Sequence, residues 1–185
     1  RDSPQIHAAE NVFVTSFDST NPIVHPAPIL LNTGRIESRE EWLFYWDGFT
    51  PAVGALVEKM DAERIAVGKA LGVDLWSCRE QYEIEYGVNE GTLSDAVKKT
   101  EAYADIKGPN SLATRYLLED IPMGLVPLVA IGKHLKVPVQ RMETIITLGE
   151  FILGRDLTHT GRTLERLGLS GMTAAEMRRF IGMGA

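Results

Sequence analysis

This sequence predicts an all-α fold, on three observations. Helix-opening residues (Thr, Ser, Asp or Asn, several followed directly by Pro) and helix-closing glycines recur along the chain. Only Asn11-Val12-Phe13-Val14-Thr15-Ser16-Phe17 alternates enough to read as a strand, and it has no sheet to join. No Gly-x-Gly-x-x-Gly turn and no Walker-type glycine loop occurs, so the βαβ unit that carries such loops is not signalled. The expectation is six to eight helices, with residues 1–17 as an extended segment or linker and residues 18–185 as one helical domain.

Composition narrows the classes. A chain of 185 residues can bury roughly 70% of its unfolded surface, so a core needs neither disulfide nor metal. Hydrophobic residues are 44%, charged residues 24% and the net charge is −6, which offers nothing to nucleic acid or an anionic membrane. No apolar run approaches the length of about 18 residues that a spanning helix needs. The single Cys78 suits a reducing, cytoplasmic setting. His7, His25, His134 and His159 have no metal-ligand spacing, so no metal site is expected.

In order, Asn21-Pro22 reads as an N-cap with proline at the first helical position, and Pro26 and Pro28 distort the helix that follows. A helical first turn puts Asn21 and His25 on one face, amid Ile23, Val24, Ile29, Leu30 and Leu31. Trp42, Phe44, Tyr45, Trp46 and Phe49 read as a packing ridge between helices. Thr50-Pro51 opens a long helix to Leu71 that Gly72 stops, and Asp74 opens another that ends at Gly87. Tyr82 and Tyr86 share a face there with Cys78. Thr92 or Ser94 caps a shorter helix to Tyr103. Asp120 reads as an N-cap before a buried helix that Pro127 should kink or delay. Pro138 falls in the first turn of a helix to Leu153, with Ile145, Ile146, Leu148, Phe151 and Ile152 as its apolar face. A short helix ends at Gly168, and Thr173 with Glu176 forms a capping box before the last helix.

Two stretches carry chemistry. Thr114 to Pro127 holds Arg115, Glu119 and Asp120 inside a run otherwise almost wholly apolar, and charged groups are seldom buried without partners. The other is the proline-interrupted helix with His25. If His25 and Asp120 meet across a cleft, the carboxylate fixes the imidazole tautomer and favours the protonated ring. That is the build of a general acid–base. Arg115 offers a planar two-donor fork that suits a substrate carboxylate. The set describes a site that moves protons on a derivative of a 2-oxo or 2-hydroxy acid.

The motifs Asn21-Pro22-Ile23-Val24-His25-Pro26, Leu31-Asn32-Thr33-Gly34-Arg35, Thr114-Arg115-Tyr116-Leu117, Glu119-Asp120-Ile121-Pro122-Met123-Gly124 and Gly161-Arg162-Thr163-Leu164-Glu165 resemble the C-terminal helical domain of opine dehydrogenases, the octopine/nopaline dehydrogenase group. The resemblance implies a multi-helix domain of the 6-phosphogluconate dehydrogenase C-terminal-like type. It implies reductive joining of an amino acid to a 2-oxo acid such as pyruvate. His25 would be the catalytic acid–base, Asp120 its partner, Arg115 the carboxylate anchor, and Asn21 a contact to substrate or nicotinamide. NADH or NADPH would be bound mainly by an N-terminal dinucleotide-binding domain, which is not legible in these residues. That absent domain, the two substrates and a second copy of the chain are the partners implied. Two other readings stay open. One is a related two-domain reductase of 2-oxo or 2-hydroxy acids that needs no amine. The other is a non-catalytic helical dimerisation module, in which His25 and Asp120 would lie apart or be sealed from any cleft.

The expected outcome for these 185 residues alone is neither tight NADH binding nor NADH oxidation. Steady NADH consumption in the presence of pyruvate and an amino acid would contradict it.

Overall fold

The computed structural model describes residues 8–89 and 91–182. His7 and the first part of the expected linker lie outside them. The described residues form fourteen α-helices, one 3₁₀ turn and one π-helical segment, with no strand beyond an isolated bridge between Leu43 and Lys107. The helices are α1 (Val12–Phe17), α2 (Asn21–Val24), α3 (Pro26–Leu31), α4 (Thr33–Ser38), α5 (Phe44–Asp47), α6 (Pro51–Ala70), α7 (Cys78–Tyr86) and α8 (Leu93–Lys99). After the 3₁₀ turn Glu101–Tyr103 come α9 (Arg115–Leu118), the π segment Ile121–Leu125 and α10 (Val126–His134). The chain closes with α11 (Gln140–Leu153), α12 (Leu157–Thr160), α13 (Leu164–Leu167) and α14 (Ala174–Phe180).

The count exceeds the expected six to eight because prolines and tight loops cut several helical runs into single turns. The strand expected at residues 11–17 is also corrected, and so is the extended linker where it covers them. Asn11 caps this stretch, its side-chain oxygen accepting from the N–H groups of Phe13 and Val14 at 2.9 and 3.1 Å. Phe13 and Phe17, four apart, stack at 5.4 Å and both are buried. The β-branched residues that suggested alternation are outweighed by a cap and an i,i+4 aromatic pair.

Helix α6 is the axis. Thr50 accepts from the Val53 N–H, Pro51 opens the helix, and Gly72 follows it with a positive φ of 72°. The helix packs against α1, α2, α3, α7, α8, α10 and α11. Its buried residues include the charged Asp61, Glu63 and Arg64, each of which is bonded. The Arg64 guanidinium donates to Asp61 and to the carbonyls of Phe17 and Trp76, all within 2.7 Å. Asp61 accepts from the Cys78 N–H at 2.6 Å, and Glu58 from the Leu93 N–H at 2.7 Å. Glu63 accepts from the N–H groups of Arg141 and Met142. Carboxylates of α6 thus hold the first turns of α7, α8 and α11, where N–H groups have no partner within their own helix.

Other caps fall close to expectation. Thr92, not Ser94, caps α8, and Thr173 caps α14 in a box with Glu176. The opener of α7 is Ser77, boxed with Glu80, and not Asp74. Helix α11 begins at Gln140, two residues past Pro138. Ile145 and Ile146 are buried along it, but Phe151 is 81% exposed and does not belong to its buried face.

The proline-rich stretches bend as their missing N–H groups require. Pro26 and Pro28 break the ladder at His25, which separates α2 from α3. After Asp120 the chain runs as a π segment, with the Val126 N–H bonded to the Ile121 carbonyl, and α10 starts only there. In that ladder the Pro122 carbonyl should take its hydrogen bond from residue 127, which is proline. The Arg162 N–H supplies the bond instead at 2.9 Å. Gly161 allows this approach, since a Cβ there would sit 2.6 Å from the Pro122 oxygen.

Helix α2 and the π segment touch at Gly124, where a Cβ would lie 2.2 Å from Cγ of Pro22. Gly124→Ala is therefore expected to cost about 1–3 kcal/mol through overpacking, read as a lower urea midpoint. An unchanged midpoint would show that the two elements part freely.

Candidate active site

His25 sits at the break between α2 and α3, its backbone held by the bond from its N–H to the Asn21 carbonyl at 3.1 Å. Asp120 stands just ahead of the π segment. Its backbone is helical and its side chain makes no capping bond, so the N-cap expected there is not formed. The carboxylate turns across to α2 instead: Nδ1 of His25 lies 2.8 Å from Oδ2 of Asp120. Both residues are only 6% exposed. A buried carboxylate without a partner would be costly, and a charge-assisted bond to imidazole is the compensation.

The far side of the ring meets groups that sequence reasoning did not single out. Nε2 of His25 lies 3.3 Å from the phenolic oxygen of Tyr45. Tyr116 packs on the ring at 4.5 Å and Phe44 approaches edge-on at 5.8 Å. Tyr45 lies parallel to Tyr103 at 4.2 Å, and the Tyr103 hydroxyl meets that of Tyr86 at 3.1 Å. The signal for Tyr45 was present in the aromatic ridge from Trp42 to Phe49, but Trp46 of the same ridge is 54% exposed. Residue type alone did not separate them.

Asn21 is not the helix cap, a place Thr20 takes, and its exposed side chain borders two hollows. One, of about 450 Å³, is shared with Pro22, Glu119, Asp120, Met123 and Arg162 among its lining residues. The other, of about 460 Å³, is shared with Asp18, Gln81, Glu85, Tyr86 and Tyr103. Arg115 borders neither. It is exposed on α9, its guanidinium carbon 5.9 Å from the Tyr116 ring, which itself covers His25. The structure thus brings His25 and Asp120 into contact, sets Asn21 one turn away, and leaves Arg115 one aromatic ring removed.

With this geometry in view, comparison with known proteins is decisive for the family. Residues 8–153 match the family described as NAD/NADP octopine/nopaline dehydrogenase, alpha-helical domain. The chain belongs to the octopine/nopaline dehydrogenase family. It is 45% identical over 175 residues to the opine dehydrogenase of Arthrobacter sp. (strain 1C), covering 95% of this chain and 49% of that protein. It is 33% identical over 159 residues to Protein ocs of Agrobacterium tumefaciens (strain Ach5), covering 85% of this chain and 44% of that protein. The chain therefore spans about half the length of these curated relatives. In fold it is similar to octopine dehydrogenase solved with NADH and agmatine, with a TM-score of 0.75 at 21% identity, over 93% of this chain and 51% of that one. The all-helical architecture is that of the helical domain of octopine dehydrogenase.

Burial pushes the phenols of Tyr45, Tyr82 and Tyr103 well above their ordinary range, and neighbouring phenols add to the shift. A phenol whose proton is held more tightly when folded contributes stability in full below about pH 10, and that stability is lost as pH climbs further. In an alkaline titration these three of the five tyrosines are expected to give tyrosinate absorbance only as helical circular dichroism disappears. A complete tyrosinate signal from a still-helical protein would show the cluster open to base.

Proposed function

We propose that this chain supplies the acid–base and substrate side of an NAD(P)H-dependent opine dehydrogenase, which condenses an amino acid reductively with a 2-oxo acid such as pyruvate. The observation that carries this reading is the buried pair of His25 and Asp120, in which Asp120 lines one of the hollows at Asn21 and His25 lies behind it, in a chain 45% identical to an opine dehydrogenase. Octopine dehydrogenase itself has been solved with NADH and L-arginine and with NADH and pyruvate, substrates of the chemistry proposed here.

The residues present do not fit a dinucleotide site by themselves. Among the described residues there is no strand, hence no glycine-rich strand–turn–helix to cradle a pyrophosphate. The cofactor belongs on a domain that these residues do not form, and the chemistry assigned to them is proton transfer and substrate binding.

A neutral amine attacks the 2-oxo carbon and gives a carbinolamine. Its hydroxyl leaves as water after taking one proton, and the C=N bond that results is the species to be reduced. His25 gives that proton, and Asp120 stabilises the imidazolium before transfer and keeps the ring oriented after it. Arg115 makes no ion pair among the described residues and faces water. Its fork is assigned to the carboxylate of the 2-oxo acid. Asn21 is assigned to substrate at the mouth of the hollows.

In the two-domain enzyme, His25→Asn is expected to lower kcat roughly 10²–10⁴-fold, and Arg115→Ala to raise KM for the 2-oxo acid with little change in kcat. Unchanged kcat in the first variant removes His25 from the mechanism. A KM rise confined to NADH in the second would move the guanidinium from substrate to cofactor. Turnover that needs no amino acid would replace opine synthesis with simple 2-oxo acid reduction.

A further inference from the structure

We propose that Tyr45 is a third member of the acid–base set, a positioning residue that donates its phenolic O–H to Nε2 of the neutral His25 ring and accepts from Nε2–H once the ring is protonated.

The assignment follows from donors and acceptors. An ionised Asp120 can only accept, so the proton in the 2.8 Å contact belongs to Nδ1. A neutral ring then presents a bare lone pair at Nε2. Among the described residues, the polar atom facing it is the Tyr45 oxygen at 3.3 Å. Tyr116 and Phe44 pack against the same ring, so neighbours on three elements hold it in place. Tyr45 does not swing away easily. It is 6% exposed, stacked on Tyr103 with only 11° between the planes, and edge-on to Phe44 at 4.7 Å. Burial keeps its own proton in place, so it changes hydrogen-bond direction without changing charge.

The proton count is simple. A proton arriving at the ring resides on Nε2 and points at the phenolic oxygen. The phenolic hydrogen turns about its C–O bond away from the ring, and Tyr45 neither gains nor loses a proton. The other titratable groups packed around the pair are Asp120 before the π segment, Tyr116 on α9, and Tyr103 on the 3₁₀ turn with Tyr86 of α7 behind it. A substrate atom that takes the His25 proton must share or replace the bond to Tyr45. Until then the phenol holds Nε2 in one orientation. That consequence for turnover rests on the opine dehydrogenase reading, whereas the hydrogen bond does not.

Nitrogen NMR of the His25 imidazole, assigned by its loss in His25→Asn, tests the bond directly. With the ring neutral, the expected wild-type state is the Nδ1–H tautomer with a hydrogen-bonded Nε2. In Tyr45→Phe the Nε2 resonance is expected to move downfield, toward that of a pyridine-type nitrogen that accepts no bond. An Nε2–H tautomer in the wild type overturns the proposal. So does an unmoved Nε2 resonance in a Tyr45→Phe protein with native circular dichroism. Should that variant not fold, the wild-type spectrum decides: an Nε2 resonance at the unbonded position overturns the proposal, and one at the bonded position supports it. In the two-domain enzyme, Tyr45→Phe is expected to lower kcat roughly five- to tenfold, the worth of one hydrogen bond. The His25-dependent limb of the pH profile should move, and KM for the 2-oxo acid should not. An unchanged kcat and pH profile would overturn the part in turnover. Absence of opine synthesis by the wild-type enzyme would instead sink the functional reading and leave the NMR result standing.

Discussion

The contact between His25 and Asp120 depends on two helices that cannot continue as helices. On one side Pro26 and Pro28 end the ladder at His25, and on the other Pro122 and Pro127 open a π segment just beyond Asp120. Single π turns inside helices are common at functional positions, since they rotate side chains out of the regular stripe. Here the rotation carries a carboxylate off a helix end and across to an imidazole. The two elements come close enough only because Gly124 has no side chain against Pro22. The carbonyl that the π geometry strands, at Pro122, is recovered by the Arg162 backbone forty residues later. The Gly161-Arg162 motif is thus tied to the same bend as the dyad.

The scaffold that holds these bends is electrostatic as well as apolar. Helix α6 buries two acids and an arginine along its length, a pattern that would be destabilising without partners. Each acid is spent on the start of another helix, where backbone N–H groups and the helix dipole both favour negative charge. Such contacts are directional in a way that burial of Val57 or Met60 is not. They specify where α7 and α11 begin, and α11 packs on α3, the helix that starts directly after His25.

Much of this was legible because caps are local. Thr50, Thr92 and Thr173 open helices in the structure, and Gly72, Gly87, Gly154 and Gly168 close them with positive φ, as their types require. His25 and Asp120 stood out as ionisable groups in apolar surroundings, and their motifs carried the family resemblance. What escaped depended on long-range neighbours. Asp61, Glu63 and Arg64 did not stand out within a good helix former, because nothing local reveals that α1, α7 and α11 surround them. Asp120 looked like a cap because Asp is a favoured N-cap type and Pro122 suits a first helical turn, whereas a partner ninety-five residues away claims its side chain. Tyr45 lay within a recognised aromatic cluster, and only the packing separates it from exposed Trp46.

One guanidinium has a mechanical side. Arg64 is clamped at once to the last turn of α1, through the Phe17 carbonyl, and to the turn before α7, through that of Trp76. Helix α1 is therefore riveted to the central axis and is no tether. Residues of α1 line both hollows at Asn21, so the same rivet fixes a wall that the two hollows share.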